Sequence, residues 1–294
     1  MSGIARAAAR PWPAPSLLAA IERAAPRYAR LALGAGGAGL PPGVRAFPAK
    51  LAPYLGAAAE TTDRVRLVEA RLVFLLVRAV MTHTLDVHGT DEGRRRLGPI
   101  EVHGKPHLDA ALAEGRGLIL VSGHFGLPSL VRLILEARGL RVTGVGAREA
   151  ERVDVVVGGG VWAAARGMQQ LRAALAEQQV CVLLVDTPRG PYAEPPFLYG
   201  RIPVAAGAFR LAQLSRSPLL PVFALHTGGR PRFRVEIGAP LPVADRASPS
   251  PFTGSLAAFL QSYEAIARRH PSQLFGFDPL FGGAESVANH GEMT

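Results

Sequence analysis

"LILVSGHFGLPSLVRLILEARG", residues 118–139, is the stretch whose reading decides the fold. It begins with uninterrupted aliphatic residues, stops at Ser122-Gly123, and meets a lone histidine, His124, at once. Beyond Pro128 the apolar residues recur at helical spacing until Gly139. A short apolar run bounded by glycine reads as a strand buried on both faces, and the helix that follows would cover one of those faces. His124 then stands at the carboxyl lip of a buried strand, between Gly123 and Gly126, with Ser129 five residues on.

The same rhythm runs outward from this unit. "IEVHG" (100–104) reads as a strand and "KPHLDAALAEG" (105–115) as a helix. "LRVTGVG" (140–146) and "VCVLLVD" (180–186) read as strands around a helix over 161–178. A helix over 203–217, strands over 218–227 and 232–241, and a long helix over 250–271 capped near Ser250 or Thr253 complete the series. Upstream, residues 61–81 are apolar enough for a buried helix, with Thr61 or Thr62 as N-cap, ended by "HGTDEGRRRLG" (88–98). Such alternation predicts an α/β fold: a mixed, largely parallel central sheet flanked by helices, with an N-terminal helical segment. The expected division is an extension over 1–60, disordered over 1–15, then an α/β domain over 61–280 and a tail over 281–294.

Within the extension, residues 16–33 place Leu17, Leu18, Ile21, Ala25, Tyr28 and Ala32 near one stripe, with Arg23, Arg27 and Arg30 elsewhere and Pro26 a breaking point. Two readings stay open: a helix packed on the domain, or one lying on an anionic membrane surface. No run of about 18 to 20 apolar residues spans a bilayer, and the N-terminus has no secretory apolar core, so the expected place is the cytoplasm, peripheral to a membrane at most. The net charge of +10 is carried almost wholly by arginine and suits a membrane surface, an acidic protein or a phosphorylated ligand. Basic-aromatic interleaving is missing, which argues against nucleic acid. One cysteine, Cys181 inside an apolar strand, excludes an intramolecular disulfide and a Cys-based zinc cluster. His83, His88, His103, His107, His226, His270 and His290 show no metal-ligand spacing, and no metal is expected. Arg94, Arg95 and Arg96 read as a solvated turn or as a contact for phosphate.

In sheets of this kind ligands gather at the carboxyl ends of the strands. Two segments put polar groups there: "LVSGHFG" with His124, and "LLVDTPRG" with Asp186, Arg189 and Gly190. A neutral histidine beside a helix N-terminus suits a general base, and glycines let a substrate approach the backbone. Asp186 has an ordinary rival reading as a cap or turn residue.

Several ordered segments together carry a resemblance. "IEVHGKPHLDAALAEGRGLILVSGHFG", then "LVDTPRGPYAEPPFLYGRIPVAAGAFRLAQLSRSPLLPVFAL", and the ending "YEAIARRHPSQLFGF" resemble the lysophospholipid acyltransferase superfamily over residues 61–278. The branch they most resemble is that of the lauroyl/myristoyl acyltransferases of lipid A, with their mannoside-acylating relatives. The resemblance implies acyl transfer from an acyl-carrier-protein or coenzyme A thioester to a hydroxyl or amine. It implies His124 as base, backbone amides near Gly126 holding the oxyanion, and apolar helices lining an acyl channel. Gly123, Phe125, Gly126, Arg148, Arg166, Arg189, Gly200 and Arg201 fall in the segments that meet substrate in such proteins. The co-substrate thioester is the only cofactor implied.

The family's motif is His followed five positions later by Asp or Glu. Here that position is Ser129, and "FGLP" replaces the usual Asn-Trp. A serine cannot stabilise imidazolium by charge. Four readings follow: Ser129 is a first-turn helix residue, a weak hydroxyl partner of His124, a bystander while Asp186 or Glu194 supplies the charge, or one half of a Ser-His nucleophilic pair. A non-catalytic acyl- or carrier-binding protein and a thioester or ester hydrolase remain alternatives to transfer.

Overall fold

The computed structural model describes residues 14–56, 63–146, 155–156, 161–187, 192–244 and 252–274. The expected disorder over 1–15 falls almost wholly outside these residues, as do the tail over 281–294, Arg148, Arg189 and Ser250. Eight helices are described: α1 (Ala14–Gly34), α2 (Pro42–Leu55), α3 (Arg64–Leu97), α4 (Lys105–Ala113), α5 (Ser129–Glu136), α6 (Val161–Ala176), α7 (Gly207–Ser215) and α8 (Thr253–Arg269). A 3-10 turn over Pro271–Gln273 follows α8. The main sheet takes β1 (Ile100–His103), β2 (Leu118–Ser122), β3 (Val142–Gly146), β4 (Val155–Val156), β5 (Val180–Leu184), β10 (Leu219–His226) and β11 (Phe233–Ile237). Two small antiparallel ribbons pair β6 (Tyr192–Ala193) with β9 (Val204–Ala205), and β7 (Pro196–Phe197) with β8 (Gly200–Arg201).

Strand order in the main sheet is β1-β11-β10-β2-β5-β3-β4. Every neighbouring pair is parallel except β10 with β11. The expected α/β fold with a mixed, largely parallel sheet is therefore the fold observed. β2 lies at its centre and is buried at every residue. Side chains alternate along a strand, so Ile119 and Val121 enter one core with Phe209, Phe223, Phe259 and Tyr263. Leu118 and Leu120 enter the opposite core with Phe74, Leu130, Ile134 and Val222. Two covered faces are why this strand is an unbroken apolar run.

Several sequence expectations change in detail. The cap of α3 is Asp63, whose Oδ1 accepts from the amides of Val65 and Arg66, and not Thr61 or Thr62, which lie outside the described residues. The helical path also runs past residue 81 and bends only at Gly89, where φ is 72°, before ending at Leu97. Arg95 and Arg96 sit in its last turn and pair with Glu92, so the arginine run is helical and partly neutralised. Residues 204–205 form a ribbon strand, and the helix expected from 203 begins at Gly207. At α8, Thr253 is the first helical residue, and Phe252 occupies the cap position without a side-chain bond. Pro26 does not split α1: Ala25, Ala29 and Ala32 on both sides of it pack against Val68 and Leu72 of α3.

The N-terminal helix is also tied electrostatically. Glu22 accepts from Arg232 at 2.8 Å and pairs with the imidazole of His226 at 3.0 Å, while Arg30 pairs with Glu69. Burial holds His226 below the ordinary histidine range, against the opposing pull of Glu22. Cys181 is buried on β5, and burial pushes its thiol up to about 12, as expected of an inert core cysteine.

Two outcomes are expected from this architecture. Asp63→Ala should lower unfolding free energy by about 1 kcal/mol, and Asp63→Asn much less, in chemical denaturation. For His226, the depressed native value means its contribution is complete above about pH 6.5 and is lost as pH falls through the lower native value. Thermal melts from pH 8 to 5 should therefore show a shallower acid limb in His226→Gln than in the wild type.

Candidate active site

β2 and β5 are parallel neighbours in register, Ser122 opposite Leu184, and the Val185 amide donates to the Ser122 carbonyl at 2.9 Å. The chain therefore leaves both strands side by side. His124 emerges from β2 and Asp186 from β5, on the same sheet end. Asp186 Oδ1 lies 2.6 Å from His124 Nδ1, and Oδ2 accepts from the His124 backbone amide, also at 2.6 Å. The Tyr263 hydroxyl of α8 donates to Oδ2 at 3.1 Å. The carboxylate side chain is 0% exposed and the imidazole 36%. A carboxylate accepts, so in this contact the imidazole donates through Nδ1–H.

A second set of contacts shapes the turn between β2 and α5. Gly126 has φ +62, and a Cβ there would lie 1.9 Å from the Ala224 carbonyl oxygen, so the position requires glycine. Its amide donates to the Gln273 carbonyl at 2.9 Å, and the Leu127 amide donates to Ala224 at 2.7 Å. The Gln273 side chain clamps the end of β10, accepting from the His226 amide and donating to the His226 carbonyl. Gln273 is itself held through α3, where the fully buried Arg71 donates to the carbonyls of Ser272 and Leu274. Its guanidinium also sits 4.3 Å from the Phe47 ring centroid. The turn is thus braced by chain 147 residues away, from Gly126 to Gln273.

The expected site residues divide accordingly. His124 and Asp186 are brought together. Ser129 opens α5 with its side chain exposed, and no hydrogen bond joins it to His124. Glu194 is exposed in the connection between β6 and β7. The oxyanion role expected of amides near Gly126 needs correction, because the amides of residues 124–127 are all committed: His124 to Asp186, Phe125 to Gly123, Gly126 to Gln273 and Leu127 to Ala224. Phe125 is fully buried, edge-on to Phe223 and Tyr263, and therefore supports the turn from beneath instead of facing solvent. Gly123 is buried against the Tyr263 ring, and the partly buried Gly200 lies against the ring of Tyr54. Arg166 on α6 and Arg201 on β8 are exposed. Sequence reading missed Tyr263 and Arg71, since each looks like one more position on a helix; Gln273 was marked only by the resemblance. Among the described residues no group of three or more His, Cys, Asp or Glu is arranged to hold a metal, and no helix is long and apolar enough to cross a membrane.

The fold is that of an α/β protein whose doubly covered, mostly parallel sheet carries an imidazole–carboxylate pair at its carboxyl end. Residues 55–281 match the family described as bacterial lipid A biosynthesis acyltransferase, and the chain belongs to that family. Among the solved structures that match is the 1-acyl-sn-glycerophosphate (LPA) acyltransferase PlsC from Thermotoga maritima, at 12% identity with a TM-score of 0.36, covering 73% of this chain and 85% of that one. No curated protein matches.

Gly126→Ala should displace the turn, since neither its φ nor the Ala224 carbonyl tolerates a Cβ. Loss of the unfolding transition's midpoint by several degrees, about 2 kcal/mol or more, is the expected result in thermal melts.

Proposed function

We propose that this protein transfers an acyl group from an acyl-carrier-protein or coenzyme A thioester to a hydroxyl or amine, with His124 as general base and Asp186 as the carboxylate that orients and charges it. The single observation behind this reading is the 2.6 Å contact between His124 Nδ1 and a fully buried Asp186, on a half-open imidazole. Nε2 takes the proton of the acceptor O–H or N–H as that atom attacks the thioester carbonyl. The tetrahedral adduct then collapses, the C–S bond breaks, and the imidazolium returns the proton to the departing thiolate. Asp186 stabilises imidazolium by charge, which Ser129 cannot do. The acid has thus moved from the helix position five residues on to the neighbouring strand end.

Substrate contacts follow the same reading. Arg166 and Arg201 are exposed guanidinium groups suited to the phosphate of a phosphopantetheine arm, as are Arg148 and Arg189 by sequence position. The net charge of +10 favours an acidic carrier or an anionic membrane surface. Tyr28 and Leu31, exposed on α1 beside its arginines, suit peripheral contact from the cytoplasmic side. Among family branches, the lauroyl/myristoyl one is the nearest in this reading.

A panel of acyl thioesters with mass detection of acylated acceptors tests the proposal. His124→Ala should lose about 100- to 10,000-fold in turnover while staying folded. Asp186→Asn should lose nearly as much, and Ser129→Ala no more than about 2- to 12-fold, the effect of a neutral hydroxyl worth about 0.5 to 1.5 kcal/mol. Full turnover in folded His124→Ala would refute the assignment; complete loss in Ser129→Ala would bring the nucleophilic, hydrolytic reading forward.

A further inference from the structure

Asp186 has two oxygens, and they are not equivalent. Oδ1 meets the imidazole; Oδ2 receives the His124 amide and the Tyr263 hydroxyl. We propose that Tyr263 is a positioning residue for the base: by donating to Oδ2 it fixes the carboxylate in the orientation that keeps Oδ1 on His124 Nδ1, and it sets how strongly that carboxylate stabilises imidazolium. The proposal rests on the assignment of His124 as base given above.

The surroundings of Tyr263 separate the hydroxyl from the ring. The ring is fully buried among Phe125, Phe197, Phe223 and Phe259, with centroids at 6.0, 4.8, 5.4 and 5.6 Å. A phenylalanine would keep all of those contacts. A hydroxyl in such a place costs desolvation unless it is bonded, and its partner is Asp186. Room for it is made in the backbone of the histidine turn: a Cβ on Gly123 would lie 2.4 Å from two ring carbons of Tyr263 and 2.5 Å from its hydroxyl oxygen. Glycine at 123 and tyrosine at 263 therefore fit each other at the point where the phenol passes to the carboxylate. Burial, followed by the charge and hydrogen bond of Asp186, holds the phenol's ionisation well above its ordinary range, so it remains a donor throughout the physiological interval. The adjacent carboxylate of α8, Glu264, turns elsewhere, accepting from the Leu198 amide and pairing with Arg268.

Two effects follow from this donor. It restrains Asp186 from rotating off the imidazole, which aligns the base. It also withdraws part of the carboxylate's charge, which keeps imidazolium from being over-stabilised and leaves Nε2 able to give its proton back. Removing the hydroxyl should therefore slow the reaction and, at the same time, raise the pH at which His124 titrates.

Histidine-labelled protein followed by nitrogen–proton NMR across pH tests this without any substrate. The comparison is between wild type, Tyr263→Phe, and protein carrying 3-fluorotyrosine at position 263, whose more acidic phenol donates more strongly. The His124 titration is expected to move up in Tyr263→Phe and down with fluorotyrosine. In the thioester assay Tyr263→Phe should lose about 10-fold in kcat, the range for a hydrogen bond to a charged group, with KM unchanged. Coincident His124 titrations in all three proteins would overturn the proposal and leave Tyr263 a core residue. Should Tyr263→Phe not fold, the fluorotyrosine arm decides alone. Opposed shifts without acyl transfer on any thioester would instead count against the proposed reaction and leave the positioning role standing.

Discussion

A carboxylate with no exposed surface is the constraint around which this end of the molecule is organised. Asp186 must be saturated with donors to be tolerated, and it is: an imidazole, a backbone amide and a phenol converge on its two oxygens. The groups come from three parts of the fold. The imidazole and amide belong to the turn after β2, the carboxylate to the end of β5, and the phenol to α8. None of these contacts forms unless the central sheet is in register and α8 lies across its end, so the site reports on the whole packing.

The same logic reaches further out. Arg71 is among the largest fully buried side chains of the described residues, and it places two donors on the carbonyls of Ser272 and Leu274. Those carbonyls belong to the segment whose Gln273 braces both the histidine turn and the end of β10. A buried guanidinium is expensive unless hydrogen-bonded, and here its bonds fix a turn that secondary structure alone would leave loose. Two buried groups of opposite charge type, Asp186 and Arg71, thus hold the segments around the partly buried His124.

The carboxylate that meets His124 stands at a different sequence address from the one the resemblance implies. A residue five positions after His124 lies on the first turn of α5, and Ser129 there faces solvent. The end of an adjacent parallel strand is an equivalent place from which to reach Nδ1, because parallel pairing delivers both chain exits to the same edge of the sheet. The serine is then free to be an ordinary surface residue. The turn itself is held by bonds to Gln273 and Ala224, which is why its amides serve structure and are not open to an oxyanion.

By itself the sequence determined the strands and helices that position the site. Unbroken apolar runs at β2, β5 and β10 required covered faces, the alternation with helical periodicity required largely parallel pairing, and His124 and Asp186 were visible as polar residues ending buried strands. These features are legible because side-chain periodicity and burial act locally. The two-residue ribbons over 192–205 are too short to show a period, and the cap at Asp63 competed with two equally good threonines beside it. Which carboxylate meets His124 was beyond local reading, since Asp186 and Glu194 differ in strand neighbourhood and not in chemistry. Only the tertiary structure decided it, along with the contacts of Tyr263 and Arg71: hydrogen bonds between residues 62, 77 and about 200 positions apart depend on sheet order and helix docking, which no window of sequence contains.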